Sequence, residues 1–204
     1  MKNIAFLGFV FFTMIGLAHA EENKGGFFIE PSLTYERGDG EVDFNSSILE
    51  NSDSDINGFG AGLRLGFHVY ESLFIGADGR YSLPNFKDSS LDQNTDAKAY
   101  NYGPVVGLQM PTDLGIRVWG SYIMGGQMDP DKDEGVDVKF EDGRGYRLGG
   151  GIKLGVVSLN LEYQYIKYND TTIEEAGPIN SADIDDVELK NQTWLLSVSF
   201  PVSL

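Results

Sequence analysis

The stretch Leu63-Arg64-Leu65-Gly66-Phe67-His68-Val69 alternates apolar with polar or small residues without a slip, and stretches of this kind recur about eight times along the chain. Successive side chains of a strand point to opposite faces. Phe59, Ala61, Leu63, Leu65, Phe67 and Val69 therefore share one side, and Gly60, Gly62, Arg64, Gly66 and His68 share the other. The pattern predicts strands over residues 27–37, 57–70, 73–83, 98–110, 116–124, 145–155, 158–168 and 191–202. Eight antiparallel strands with one apolar face each point to a sheet closed on itself. No helical layer is available to cover an open one.

The gaps between strands carry the next constraint. From the second strand on, 71–72, 111–115 and 156–157 are short, whereas 38–56, 84–97, 125–144 and 169–190 are long, in strict alternation. An up-and-down sheet with this rhythm gathers its tight turns at one end and its long loops at the other. Charge divides the same way: within 38–56, 84–97, 125–142 and 169–188 there are 23 acidic residues against three lysines, in a chain whose formal total is −16. The remainder is therefore slightly basic, and the acidity belongs to one end. Tyr35, Tyr81, Tyr100, Tyr102, Tyr122, Tyr146, Tyr165 and Tyr168 also lie near that end, where a phenol suits a boundary between hydrocarbon and water.

The N-terminus bears on which solvent the apolar face meets. Lys2, an apolar run over 4–17 and Ala18-His19-Ala20 before Glu21 have the form of a secretory signal, giving a leader over 1–20 and one domain over 21–204. The run is shorter than the ~20 residues of a spanning helix. Cysteine is absent, so an exported chain of this size depends on burial and closed backbone pairing rather than on disulfides.

Together these features resemble the small eight-stranded outer-membrane barrels, the group of outer membrane protein A's membrane domain and outer membrane protein X. The resemblance implies an all-β fold, a closed antiparallel up-and-down eight-stranded transmembrane β-barrel in the bacterial outer membrane. Both termini would lie in the periplasm and the acidic loops outside. It also implies contact with outer-membrane lipid and lipopolysaccharide, and handling by the barrel assembly machinery. That machinery reads a terminal strand ending in an aromatic residue. Here Trp194, Leu196, Val198 and Phe200 keep the alternation, and Pro201-Val202-Ser203-Leu204 follow in phase.

With the apolar faces turned to lipid, the lumen receives Glu30, Arg64, Asp78, Arg80, Arg117, Arg147, Lys153 and Glu162. Eight strands enclose a space just wide enough for side chains to fill. Buried charges there must pair or cost several kcal/mol each, by order of magnitude. Arg64, Asp78, Arg80, Arg147 and Glu162 fall at middle depths. Gly62, Gly76, Gly107 and Gly149 leave room beside them. Such a set reads as a plug of salt bridges, or alternatively as a gated narrow pore.

Enzymatic chemistry finds little support. His19 leaves with the signal, and His68 points inward near the tight turns, so a histidine-assisted nucleophile has no partner in the loops. Carboxylate pairs among so many loop acids arise by chance. Asp53-Ser54-Asp55-Ile56-Asn57-Gly58 matches the start of an EF-hand loop, but the twelfth position is Arg64 rather than glutamate. Asp129, Asp131, Asp133 and Asp137, around Gly135, form the better candidate for a divalent cation, with no other cofactor expected. Glycine clusters never complete a phosphate-binding spacing, and so acidic a chain excludes nucleic acid. The expected function is a monomeric, non-enzymatic surface or envelope scaffold whose loops meet an extracellular ligand or host surface. A narrow pore is the alternative, and an outer-membrane enzyme a weaker one.

Overall fold

The computed structural model describes residues 26–44, 52–70, 72–88, 94–112, 114–132, 136–176, 179–184 and 187–204; the leader expected over 1–20 lies outside them. The strands are β1 (Phe27–Phe44), β2 (Ser52–Tyr70), β3 (Leu73–Asp88), β4 (Asn94–Gln109), β5 (Arg117–Ile123), β6 (Gly125–Pro130), β7 (Val136–Leu154), β8 (Val157–Ala176), β9 (Ile179–Ile184), β10 (Val187–Ser199) and β11 (Val202–Ser203). Antiparallel pairing runs from β1 through β2, β3 and β4 to β5 and β6, on to β7, β8 and β10, and back to β1. The ring is closed with eight wall positions, because β5 and β6 share one. A bulge at Met124 separates these two. Ser121 lies opposite Val105 but Gly125 lies opposite Tyr102, so one extra residue is absorbed and Met124 N donates to the Tyr102 carbonyl.

The short connections form as their chemistry requires. Gly155 has φ +66° and Gly115 φ +44°, conformations a side chain disfavours, and these let β7 reverse into β8 and the 110–116 turn close. At the chain's end Pro201 interrupts the last strand, since it has no N–H to give. The register against β1 continues unchanged: Ser199 faces Ser32, Val202 faces Ile29, and Phe200 N and Leu204 N donate to the Pro31 and Phe27 carbonyls.

The outward face of the lower wall is apolar. Leu63, Phe67, Val106, Leu148, Leu161 and Leu196 are all exposed. On β8 the outward apolar and tyrosine positions run over 157–165, matching the 9–11 residues with which a tilted strand crosses hydrocarbon. Above them stands a belt of tyrosines, including Tyr35, Tyr81, Tyr100, Tyr102, Tyr122 and Tyr146. Tyr163 extends it, with its ring 6.3 Å from Tyr146 and 5.3 Å from Trp194.

Two expectations are corrected here. The segments 38–56, 84–97, 125–144 and 169–190 are not simply loops: β1, β2, β3, β4, β7, β8 and β10 extend well into them, with β6 and β9 lying inside. Their glycines and acids read as turn residues, but the ladder continues because backbone pairing is indifferent to whether the outward side chain meets lipid or water. The EF-hand-like run lies within β2, paired on both sides, and so forms no loop. The second correction is Tyr168, which is buried rather than part of the belt. Between Phe140 and Gly143 on β7, and between Tyr168 and Thr171 on β8, both paired strands change the face they turn inward, at Asp142 with φ +50°.

Candidate functional site

The lumen is filled in three layers. Nearest the tight turns lies an aromatic layer of Phe28, Phe74 and Trp119 with Val105. Phe28 and Phe74 meet edge to face at 5.7 Å, and His68 lies 4.9 Å from Phe28 and 6.0 Å from Phe74. Glycines on facing strands make the space: a Cβ on Gly107 would strike the Phe74 ring, and one on Gly149 the Trp119 indole. Some of the inward glycines thus accommodate rings rather than arginine arms.

The middle layer is ionic. Arg64 Nη2 donates to Asp78 Oδ2 at 3.0 Å. Arg80 Nη2 reaches both Glu162 oxygens at 2.6 Å. Arg117 forks onto Glu30 across the barrel, and its Nη2 also donates to Asn160 Oδ1 at 2.8 Å and Ser199 Oγ at 2.9 Å. Arg147 donates to Asn101 Oδ1 at 2.6 Å and to Gln164, with its Nη1 3.4 Å from Asp78. Longer contacts tie the pairs together: Arg64 to Glu30 at 3.7 Å, and Arg80 Nε to Asp78 at 3.7 Å. The Trp119 indole N–H donates to Glu162 at 3.2 Å, and its ring lies 4.6 Å beneath the Arg64 guanidinium. All eight wall positions contribute, through Glu30, Arg64, Asp78, Asn101, Arg117, Arg147, Glu162 and Ser199.

Seven of the eight charged residues expected in the lumen are brought together. Lys153 is not: it stands beside Gly115 at the turn end, with no ion pair among the described residues. One member went unrecognised in the sequence. Glu36 is buried and faces Ser82, Arg80 and Arg147. Its signal was parity, since it shares a face with Glu30, Ser32 and Thr34. It lay inside the expected strand over 27–37, in phase with Glu30, and was still left out of the expected lumen set. With Glu36 included, four buried carboxylates (Glu30, Glu36, Asp78, Glu162) balance four buried arginines (Arg64, Arg80, Arg117, Arg147). A buried network of this kind holds only if its charges are mutually compensated. The cavity remaining among these groups is about 10 Å³, room for about one water.

The third layer is apolar. Ala97, Ala99, Ile123, Met128, Phe140, Ile166, Tyr168 and Leu189 pack together inside the extended upper wall, with Val42, Phe86, Val138 and Val187 against them. Outside this layer the wall is polar: Asp39, Asp55, Asp96, Asp131 and Asp170 are exposed. Lys190 Nζ donates to Asp43 at 2.9 Å and Lys167 pairs with Glu188 at 2.8 Å. Hydrogen bonds to Asp43 and Asp131 hold the ammonium groups of Lys190 and Lys98 above the usual lysine value.

Of the candidate cation ligands, Asp133 lies outside the described residues. Asp131 is engaged by Lys98 at 2.9 Å. Among the described residues no group of three or more histidine, cysteine, aspartate or glutamate side chains could hold a metal, so Asp129, Asp131 and Asp137 do not form such a group.

A family model described as outer membrane protein beta-barrel domain matches residues 4–200. No curated protein matches the chain. Among solved structures, the outer membrane protein OprG from Pseudomonas aeruginosa aligns with a TM-score of 0.53 at 12% identity, over 90% of this chain and 99% of that one. Neisserial surface protein A (NspA) aligns with a TM-score of 0.47 at 16% identity, over 89% and 99%. The outer membrane protease OmpT from Escherichia coli aligns with a TM-score of 0.48 at 9% identity, over 88% and 97%. At such identity the likeness to OprG is one of fold.

Proposed function

This chain belongs to the outer membrane protein β-barrel domain family and resides in the bacterial outer membrane, and from that premise we propose that it is a sealed, non-enzymatic scaffold displaying an acidic rim at the cell surface. The observation that carries this reading is the filled lumen: an aromatic layer, a compensated ionic layer and an apolar layer succeed one another across the barrel. An ion crossing it would have to shed its hydration shell and pass an apolar plug, a costly transfer without compensating partners. The pore reading needs a continuous wet path, which this packing does not favour.

His68 packs on Phe28 and Phe74 rather than beside a nucleophile, which supports a non-catalytic role. The chain acts as a monomer, its leader over 1–20 removed on export, its wall assembled by the barrel machinery. The rim recognises a cationic ligand or host surface through its carboxylates. The test is planar-bilayer recording of the refolded protein. We expect no conductance steps. Reproducible steps that scale with salt would overturn the sealed-scaffold reading.

A further inference from the structure

The lipid-facing wall carries a hollow. On β2, β3 and β4 the outward positions Ala61, Ala77, Gly79 and Pro104 are small or flat, and they floor a groove of about 720 Å³ whose exposed lining is almost entirely carbon. Leu63 and Leu65 wall one side; Tyr102 and Met124 wall the other, with Tyr81 at the upper end. Gly79 opens it. A Cβ built there meets nothing within 4 Å, because its cross-strand neighbour Tyr102 leans over Gly125 instead, where a Cβ would come 2.7 Å from the phenol.

Along β3 the groove runs from Tyr81 down to Ala77, about 13 Å at the rise of a strand. That is close to one leaflet of a ~30 Å hydrocarbon core. Its upper end lies in the tyrosine belt. The phenols of Tyr81 and Tyr102 have no hydrogen-bond partner among the described residues. Higher on the same face of β4, Lys98 is paired with Asp131 at 2.9 Å. The groove is continuous with the belt that the membrane covers, so its occupant comes from the bilayer.

We propose that this groove seats one acyl tail of lipopolysaccharide. Tyr81 and Tyr102 then meet the ester and amide carbonyls at the tail's head. The outer-leaflet assignment rests on the proposed orientation, acidic rim outside. A lipid tail gains nothing by leaving hydrocarbon for an apolar wall. Residence in the groove therefore depends on shape, through close dispersion contacts, and on the polar contacts at the rim.

The test is native mass spectrometry of the refolded protein in detergent, titrated with rough lipopolysaccharide or with phosphatidylethanolamine. Gly79→Leu fills the hollow from the lipid side, where an added leucine is compatible with folding. Gly150→Leu places the same side chain on the outward face of β7, away from the groove. Wild type and Gly150→Leu should each retain one lipopolysaccharide, Gly79→Leu at least tenfold less, and phosphatidylethanolamine should be retained by none. Equal retention by Gly79→Leu and wild type, an equal fall in both glycine variants, or retention of phosphatidylethanolamine as strongly as lipopolysaccharide would each overturn the proposal. The assay is blind to orientation in the membrane, so its failure is distinct from a failure of the topology, which thiol labelling in intact cells reads separately.

Discussion

At the ionic layer, just below the tyrosine belt, the barrel is apolar outside and polar inside; above the belt the same strands are polar outside and apolar inside. The change is visible within β8. Its outward positions pass from Leu159 and Leu161 through Tyr163 and Tyr165 to Lys167, while its inward positions pass from Asn160, Glu162 and Gln164 to Ile166 and Tyr168. One backbone ladder serves both halves, since pairing satisfies its own N–H and C=O groups whatever surrounds it. What differs is the solvent. Where hydrocarbon covers the outside, the lumen can carry charges that compensate one another; where water covers the outside, hydrophobic burial has to come from within.

The largest expected effect probes the lower interior. Glu162→Ala leaves Arg80 without its bidentate acceptor and the Trp119 N–H without its own. Urea unfolding in lipid bilayers should show a loss of about 3–5 kcal/mol, the cost of a buried charge stripped of its partner. A loss below 1 kcal/mol would mean that the lower lumen is wet. Next, Ile166→Ala removes a fully buried side chain from the upper cluster and should cost about 2–5 kcal/mol. If the upper lumen were an open aqueous vestibule, the same variant would be nearly silent.

The outer face gives the third contrast. Leu161→Arg puts a cation on the lipid side near mid-depth and should cost about 2–4 kcal/mol. Lys167→Leu, six residues further along the same face, should change stability little, and comparable costs at both sites would erase the proposed boundary. The smallest effect is at the rim. Lys190→Met breaks the half-buried pair with Asp43 at the water-facing rim, worth about 1 kcal/mol or less. Because that hydrogen bond raises the lysine's affinity for its proton, its contribution is fully present below the ordinary lysine range. It is lost only as pH climbs through the raised value, so the variant and wild type should converge in strongly alkaline solution and differ most near neutrality.

The lower half was legible because two rules reinforce each other there. Hydrocarbon demands apolar side chains at every outward position, and the strand period of two then fixes which charges enter the lumen. Arg64, Asp78 and Glu162 could be assigned inward from parity alone. Their partners could not, because who meets whom across the lumen depends on shear and tilt, which one strand does not encode. Lys153 shows the limit from the other side: parity gives its face but not that the network lies beyond its reach. In the upper half the outward constraint lapses, so β1 over 38–44 offers Gly38, Asp39 and Gly40 in the style of a turn. There the inward glycine is dictated by crowding, since a Cβ on Gly38 would collide with the Gln192 carbonyl. Such a contact becomes visible only once the register is known. The tyrosine count was legible as a belt, and parity separates Tyr168 from it: Tyr168 is in step with the inward Glu162, Gln164 and Ile166, whereas Tyr163 and Tyr165 are in step with the outward Leu159 and Leu161.

The inversion at the belt can be read directly because the natural chain contains no cysteine. Single substitutions Leu161→Cys and Lys167→Cys, both outward on β8, with Ser72→Cys in the tight turn beyond β2, would be exposed in intact cells to a membrane-impermeant maleimide. Lys167→Cys should be modified rapidly, while Leu161→Cys, in lipid, and Ser72→Cys, on the periplasmic side, stay protected until the cells are lysed and the protein unfolded. Modification of Leu161→Cys as fast as Lys167→Cys would contradict the account.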